Sequence, residues 1–439
     1  MKHADSLISA RWIIPVEPHA TVLEEHTVVV VNGTIEAVLP TREALADWQC
    51  DHPVELPGHA LIPGLVNAHT HAAMSLMRGM ADDLPLMTWL NEHIWPAEAR
   101  WVGEGFVRDG TRLAIAEMVR SGTTCFNDMY FFTDIAARVA SDAGMRACIG
   151  MIVIDFPTAW AADHDDYLRK GLAVHDHYRH DPLITTAFAP HAPYTVSDLP
   201  LQRIATYAEE LDVPIHIHVH ETAGEVAQAL EQSGDRPLAR LDRLGLVSRR
   251  LMAVHMTALD DDDIARVAAG GASVVHCPQS NLKLASGLCP VQRLLDAGIN
   301  VALGTDGAAS NNDLDLLGEM QSAALIGKIT AGNAAAVDAA SVLRMATLGG
   351  ATALGLDDRI GSITPGKAAD LTAIDLSALE TQPVYHPISQ IVYAAGREQV
   401  SDVWVAGRRL LKQRRLTTLD EETLLASAAQ WRERMAEFD

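Results

Sequence analysis

Apolar β-like runs alternate with helical stretches through the middle of this chain. Histidines and an aspartate sit at the ends of successive runs, and both chain ends are β-rich. Together these observations predict an α/β fold: a (β/α)8 TIM-like barrel with a small β-sandwich domain formed by the N- and C-terminal segments. The alternation means parallel strands joined by helical crossovers. Roughly eight units over about 300 residues suit a closed barrel, and chemistry at many strand ends suits a ring better than an open doubly wound sheet. The expected division is a small β domain over residues 1–58 and 362–439, including a closing helix, and a barrel over residues 59–361.

The first 58 residues read as short strands and turns. Thr27-Val28-Val29-Val30-Val31 followed by Asn32-Gly33 is a hairpin signal, and Ile35-Glu36-Ala37-Val38-Leu39 is the returning strand. From about Leu61 the pattern changes. Strands are expected over residues 123–128, 146–151, 183–189, 214–219, 251–255, 273–277 and 301–305, with helices between them, for example over 134–143 and 199–210. After Gly361 the β character returns. Residues 361–371 lead into Ile374-Asp375, residues 400–411 form a hairpin-like unit around Ala406-Gly407, and 421–438 read as the closing helix. No internal repeat or low-complexity linker is evident.

The chain has 439 residues, of which 48% are apolar and 21% charged, enough to bury a large core without staples. A net charge of -23 disfavours nucleic acid or an anionic membrane surface as the main partner. A small nucleoside in a closed pocket is not excluded by that charge. The five cysteines (Cys50, Cys125, Cys148, Cys277 and Cys289) include no Cys-x-x-Cys pair, so reduced thiols in a cytoplasmic protein are expected. No signal peptide is read at the N-terminus, and no apolar run is long enough to span a membrane.

His69 and His71 end the apolar run that starts at Ala60. On a strand, residues i and i+2 face the same way, so both imidazoles can meet one metal ion. His216, His218 and His220 alternate with Ile215, Ile217 and Val219 and share one face. Periodicity does not choose among them, but His218 is favoured because it lies near the strand end with Glu221 just beyond. Packing or orienting hydrogen bonds suit the other two. Glu221 is placed to pass on the proton of a metal-activated water. Asp306 follows a buried strand, where a carboxylate is costly unless it holds a metal or accepts a proton. His255 ends another buried run and is placed to polarise the attacking water or the bond being broken. His191 lies between Pro190 and Ala192-Pro193 at a stiff loop entry, where substrate contact suits it better than metal binding.

These motifs jointly resemble the amidohydrolase superfamily. The carriers are Pro63-Gly64-Leu65-Val66-Asn67-Ala68-His69-Thr70-His71, His218 with Glu221, His255, Gly304-Thr305-Asp306-Gly307, and the segment 361–371. Within it the chain looks most like the 5-methylthioadenosine/S-adenosylhomocysteine deaminases and their chlorohydrolase-like relatives. The discriminating stretches are Met74-Ser75-Leu76-Met77-Arg78-Gly79, Leu86-Met87-Thr88-Trp89-Leu90 with Trp95-Pro96-Ala97-Glu98, and 190–197. The resemblance implies that His69, His71, His218 and Asp306 hold one divalent metal, usually zinc, although the same donors accept iron, manganese or cobalt. The expected strand over 183–189 has no lysine of the kind that bridges two metals in related barrels, which favours a single ion. The resemblance also implies that Glu221, His255 and Asp306 are catalytic, and that Glu98, His191, Glu221 and Trp89 contact the nucleoside, Glu98 through its ribose hydroxyls.

The implied reaction is hydrolytic deamination of the adenine ring of 5′-methylthioadenosine, S-adenosylhomocysteine and/or adenosine, giving the inosine-type product and ammonia. The alternative is a deaminase or chlorohydrolase of a free purine, pterin or triazine ring. A metal-free scaffold relative is disfavoured by the full donor set. Some family members place arginines between the third and fourth strands for a charged substrate tail. Here residues 160–167 carry none; Arg169 and Lys170 follow without a firm alignment to those positions, so a strong preference for a charged tail is not expected and a neutral methylthio tail could be favoured. Barrels of this type often assemble symmetrically, so a homo-oligomer is expected.

Overall fold

A computed structural model describes residues 1–436. Eight parallel strands form the central sheet: β1 (Leu65–Thr70), β2 (Thr123–Tyr130), β3 (Arg146–Val153), β4 (Ile184–Pro190), β5 (Ile215–Val219), β6 (Leu251–His255), β7 (Ser273–His276) and β8 (Val301–Leu303). Each pairs with the next in chain order. Nearly every strand residue is buried, which explains the continuous apolar runs: both faces of a parallel barrel are covered. The crossover helices carry local stop and start signals. Helix Asp261–Gly270 begins at a capping box between Asp260 and Asp263 and ends at Gly271, whose φ of 67° suits a glycine C-cap.

The ring closes between β8 and β1 through polar bonds. Thr305 N donates to Asn67 Oδ1 at 3.0 Å, Asn67 Nδ2 donates to Thr305 Oγ1 at 2.7 Å, and Asp306 N donates to His69 O at 3.0 Å. Gly304 permits this seam, because a Cβ there would lie 2.8 Å from His69 Cβ. The expected strand over 301–305 therefore stops at Leu303, where the backbone turns from the ladder to the Asn67 side chain.

The two chain ends share one eight-stranded sheet. Its central strand, Val54–Pro63, pairs in parallel with Ser6–Ile13 and antiparallel with Leu371–Asp375. It runs five residues past the boundary placed after residue 58, because Leu61, Ile62 and Pro63 pair with Ala373, Thr372 and Leu371. The Leu23–Val31/Thr34–Pro40 hairpin lies towards one end of this sheet, and the Val400–Val405/Arg408–Lys412 hairpin towards the other. Their turns nevertheless touch: a Cβ on Gly33 would lie 2.5 Å from Ala406 O. The sheet thus folds over itself into a sandwich-like unit around Ile8, Val28, Leu61, Leu371 and Trp404.

The closing helix, Glu421–Ala436, lies against the barrel helix Glu104–Arg120 instead of against the small sheet. Trp431 stacks edge-on against Phe106 at 5.3 Å, and its Nε1 donates to Asp109 at 3.0 Å. Glu437 and Phe438, also read as helical, lie outside the described residues. All five cysteines are free. No helix among the described residues is long and apolar enough to cross a membrane.

Candidate active site and metal centre

The C-terminal ends of β1, β5, β6 and β8 bring His69, His71, His218, His255 and Asp306 together. Asp306 Oδ1 lies 3.1 Å from His69 Nε2 and 3.2 Å from His71 Nε2. His218 Nε2 lies 3.3 Å from His69 Nε2. The outer ring nitrogens are all engaged elsewhere. His71 Nδ1 sits 2.6 Å from Met129 O, His218 Nδ1 sits 2.7 Å from His191 O, and His69 Nδ1 sits 2.8 Å from His216 Nε2. A neutral ring that donates from Nδ1 to a carbonyl presents a bare lone pair at Nε2, which is what a metal needs; burial favours that form of His71, but Asp306 beside it raises the ring to about 9, a proton that a bound cation would displace. Burial, reinforced by the neighbouring imidazoles, keeps His218 well below its usual pKa, so it is neutral. Burial also opposes charge on Asp306, yet His69 and His71 beside it hold its carboxyl well below the carboxylate range. Two triads share His69, one with His71 and Asp306 and one with His218 and His255, the ligand atoms of each lying within 4.8 Å of one another, and donors of this kind fit a divalent ion with N/O ligands.

The rest of the cluster is held by residues that strand periodicity does not reveal. Ser280 Oγ (2.7 Å) and Ser310 Oγ (3.0 Å) donate to Asp306 Oδ2, and Gly307 N donates to Oδ1 at 2.8 Å. Asp128 accepts from Thr70 Oγ1 at 3.1 Å and from Ala72 N at 2.7 Å, pinning the turn that carries His71. Asn281 Nδ2 lies 3.0 Å from His255 Nδ1. His255 also groups with His69 and His218, their ligand atoms lying within 4.8 Å of one another. Polar residues just beyond the ends of β7 and β8, in Gln279-Ser280-Asn281 and Ser310-Asn311-Asn312, were the available sequence signal.

The other two histidines of β5 take different places. His216 is fully buried between His69 and the Asn127 amide, 3.1 Å from its Nδ1, and orients the His69 ring. His220 Nε2 accepts from Leu238 N at 3.1 Å, which braces the start of helix Pro237–Arg243.

A cavity of about 310 Å³ opens above the cluster. Its wall is mostly apolar, with Trp89, Glu98, His191 and Glu221 among the lining residues. Trp89 and Glu98 arrive on the helical excursion after β1, over Leu86–Thr88, Trp89–Ile94 and Trp95–Trp101. Burial pushes Glu221 up to about 8, with Asp306 nearby adding to the shift. Its Oε1 lies 3.8 Å from His255 Nε2, and Glu225 accepts from its backbone N at 2.8 Å. Burial likewise raises Glu98 to about 7, against the pull of Tyr130 and His71. His191 is held at about 3 by burial and by the other imidazoles, and its Nδ1 lies 3.0 Å from Thr195 Oγ1. Arg169 and Lys170 both pair with Asp166, Lys170 also bonds Trp160 O, and neither lines the cavity.

A (β/α)8 barrel with three imidazoles and a carboxylate converging at its C-terminal mouth defines the class of metal-dependent barrel hydrolases. The amidohydrolase family profile matches residues 60–410. A 5-methylthioadenosine/S-adenosylhomocysteine deaminase of Teredinibacter turnerae is 53% identical, over 98% of both chains. One of the same name from Saccharophagus degradans is 51% identical, over 98% of this chain and 96% of its own. The crystal structure of an adenosine deaminase from Xanthomonas campestris with bound zinc is 57% identical, covers 99% of both chains and superposes with a TM-score of 0.98. An atrazine chlorohydrolase of Arthrobacter aurescens, complexed with zinc, is 25% identical with a TM-score of 0.91, covering 97% of this chain and 99% of its own. The chain belongs to the amidohydrolase family, in its 5-methylthioadenosine/S-adenosylhomocysteine deaminase branch.

Proposed function

We propose that this protein hydrolytically deaminates the adenine ring of 5′-methylthioadenosine, adenosine and, less readily, S-adenosylhomocysteine. The observation that carries the reading is one cavity with converging donors at its base and two carboxyls of raised pKa, Glu221 and Glu98, in its wall. Its volume falls within the roughly 300–1,000 Å³ of small-ligand sites. The names of the relatives at 51–53% identity support the same chemistry.

His69, His71, His218 and Asp306 are the proposed ligands of one divalent ion. Zinc is favoured because the Xanthomonas campestris relative carries it. Bound there, such an ion lowers the pKa of a water towards 7. Asp306, with His255 beside it, takes a proton from the attacking water. Glu221 gives its proton to N1 of the ring, which removes aromatic stabilisation and makes C6 electrophilic. Water adds at C6, Asp306 passes the proton it took to the amino group, the C6–N bond breaks and ammonia leaves, while N1 keeps its hydrogen and the C6 hydroxyl proton returns to Glu221 as the 6-oxo ring forms. Glu98 receives the ribose hydroxyls, His191 contacts the nucleoside, and Trp89 offers a flat apolar face.

Among the described residues no lysine or arginine lines the cavity, while Ile154, Phe156 and Trp95 do. A neutral thioether tail therefore fits better than one ending in an amino-acid carboxylate. The remaining expectations, a homo-oligomer in the cytoplasm, belong to this same proposal.

Metal-replete protein mixed separately with methylthioadenosine, S-adenosylhomocysteine, adenosine and guanine tests the reading through ammonia release and the ultraviolet shift. Turnover of the adenosyl compounds but not guanine is expected, with kcat/KM higher for methylthioadenosine than for S-adenosylhomocysteine. Silence on every adenosyl compound with metal bound would move the substrate to a free base, pterin or triazine.

A further inference from the structure

Glu319 is fully buried in the first turn of helix Leu316–Ala331 and is not among the residues that line the cavity. Nothing in the proposed chemistry uses it. Burial pushes its carboxyl well above the usual carboxylate range, against the bonds from Gln279 and Asn311, and that carboxyl joins two separate segments: Oε2 accepts from Gln279 N at 3.2 Å, and Oε1 accepts from Asn311 Nδ2 at 2.5 Å. Gln279 adjoins Ser280, and Asn311 adjoins Ser310. Those two serines donate to Asp306 Oδ2, and their hydroxyls lie 3.2 Å from each other.

We propose that Glu319 is a positioning residue that sets the direction of Asp306 through Ser280 and Ser310. The inference rests on the reading of Asp306 as metal ligand and proton acceptor. Asp306 has little of its own to hold it. Its φ of 62° places it in the left-handed region, which a non-glycine residue keeps only where its surroundings hold it there. Its Oδ1 faces His69 and His71 and accepts from Gly307 N at 2.8 Å, so the remaining hold on the carboxyl falls on what grips Oδ2. The grip consists of two hydroxyls from loops after different strands, and Glu319 fixes the spacing of those loops. Two further bonds tie the same frame: Gln279 Nε2 to Ser322 Oγ at 3.0 Å, one turn along Glu319's helix, and Asn311 Nδ2 to Thr305 O at 2.7 Å. The acceptors are specific. In Glu319→Gln, whichever way the amide turned, its NH2 would face either the Gln279 N–H or the Asn311 NH2, a donor against a donor.

The test compares wild type, E319Q, S280A/S310A and the triple variant, all loaded with zinc. The readouts are the chelator concentration that strips half the metal, and kcat and KM separately. We expect E319Q to lose about 10–100-fold in chelator resistance and in kcat, with KM within about twofold. The triple variant should be no worse than S280A/S310A, because Glu319 acts only through the serines. Wild-type values for E319Q, or losses that multiply in the triple variant as for a merely structural residue, would overturn the proposal. Should E319Q fail to fold, N311A removes the donor at Oε1 and enters the same cycle with the same expectation. D306N separates the two levels of the argument. Wild-type chelator resistance in D306N would sink the ligand reading itself, whereas loss in D306N without loss in E319Q would sink only the role of Glu319.

Discussion

In the proposed reaction Glu221 is the acid and Glu98 the ribose acceptor, and the surroundings of each suit it to that part. With its pKa raised to about 8, mainly by burial, Glu221 keeps its proton at neutral pH and is ready to deliver it. The deprotonated form has no proton to give, so kcat should fall as pH rises through about 8. Glu98 works in the opposite sense. It receives hydroxyl protons best as a carboxylate, so KM for a riboside should rise as pH drops through about 7, while a substrate without ribose shows no such limb. Steady-state profiles from pH 5.5 to 9.5 on both kinds of substrate check the pair of effects. Glu221→Gln should retain its metal, measured by elemental analysis, and lose about 10²–10⁴-fold in kcat. Near-normal turnover in that variant would remove Glu221 from the proton path. At this scale the histidines were legible because strand alternation puts i and i+2 on one face. Choosing His218 over His216 and His220 needed the position of the strand end, and the structure adds the partners of the other two. Ser280 and Ser310 were not legible as partners of Asp306, nor Glu319 as the link between Gln279 and Asn311, since these bonds form only once the segments after β7 and β8 have folded together.

At the scale of elements, the strand ends hold unusual backbone. His220, His255, Met256 and Asp306 all have positive φ, between 51° and 76°. They lie at or just past the ends of β5, β6 and β8, and two of them, His255 and Asp306, line the cavity. Such conformations persist only where the surroundings over-determine them. The β1–β8 seam is the tightest case. Gly304→Ala would press a methyl against His69, so a loss of about 1–3 kcal/mol in stability and weaker zinc retention are expected. Thermal melts with and without chelator separate these two effects, and a variant indistinguishable from wild type in both would show that the seam yields freely. The Gly-Thr-Asp-Gly run was readable as a site motif, but its glycines were not readable as spacers. Only the close approach to His69 and, at Gly307, to His71 explains them.

For the whole molecule, the barrel and the two-ended sheet are joined at the end away from the cavity. Arg146, the first residue of β3, bonds both oxygens of Asp370 at 2.7 and 3.1 Å, and the pair is almost completely buried. Removing one partner of such a pair typically costs about 3–5 kcal/mol. Arg146→Met should therefore lower the melting temperature while leaving zinc content and KM unchanged. A shift in KM would mean that the sheet communicates with the cavity. The alternation of strands and helices made the barrel legible from end to end, because each crossover unit is local in sequence. The small domain was legible only as β-rich ends, since pairing between residues 54–63 and 371–375 leaves no local trace.

That pairing also sets an order of events at the ribosome. Strand Val54–Pro63 is made early, but its partner Leu371–Asp375 is translated roughly 300 residues later, about 15–60 s at ordinary elongation speeds. Throughout that interval the nascent chain carries an apolar strand with one side unpaired, and the barrel must assemble beside it. A strand that emerges late is thus the one that shields a strand made early.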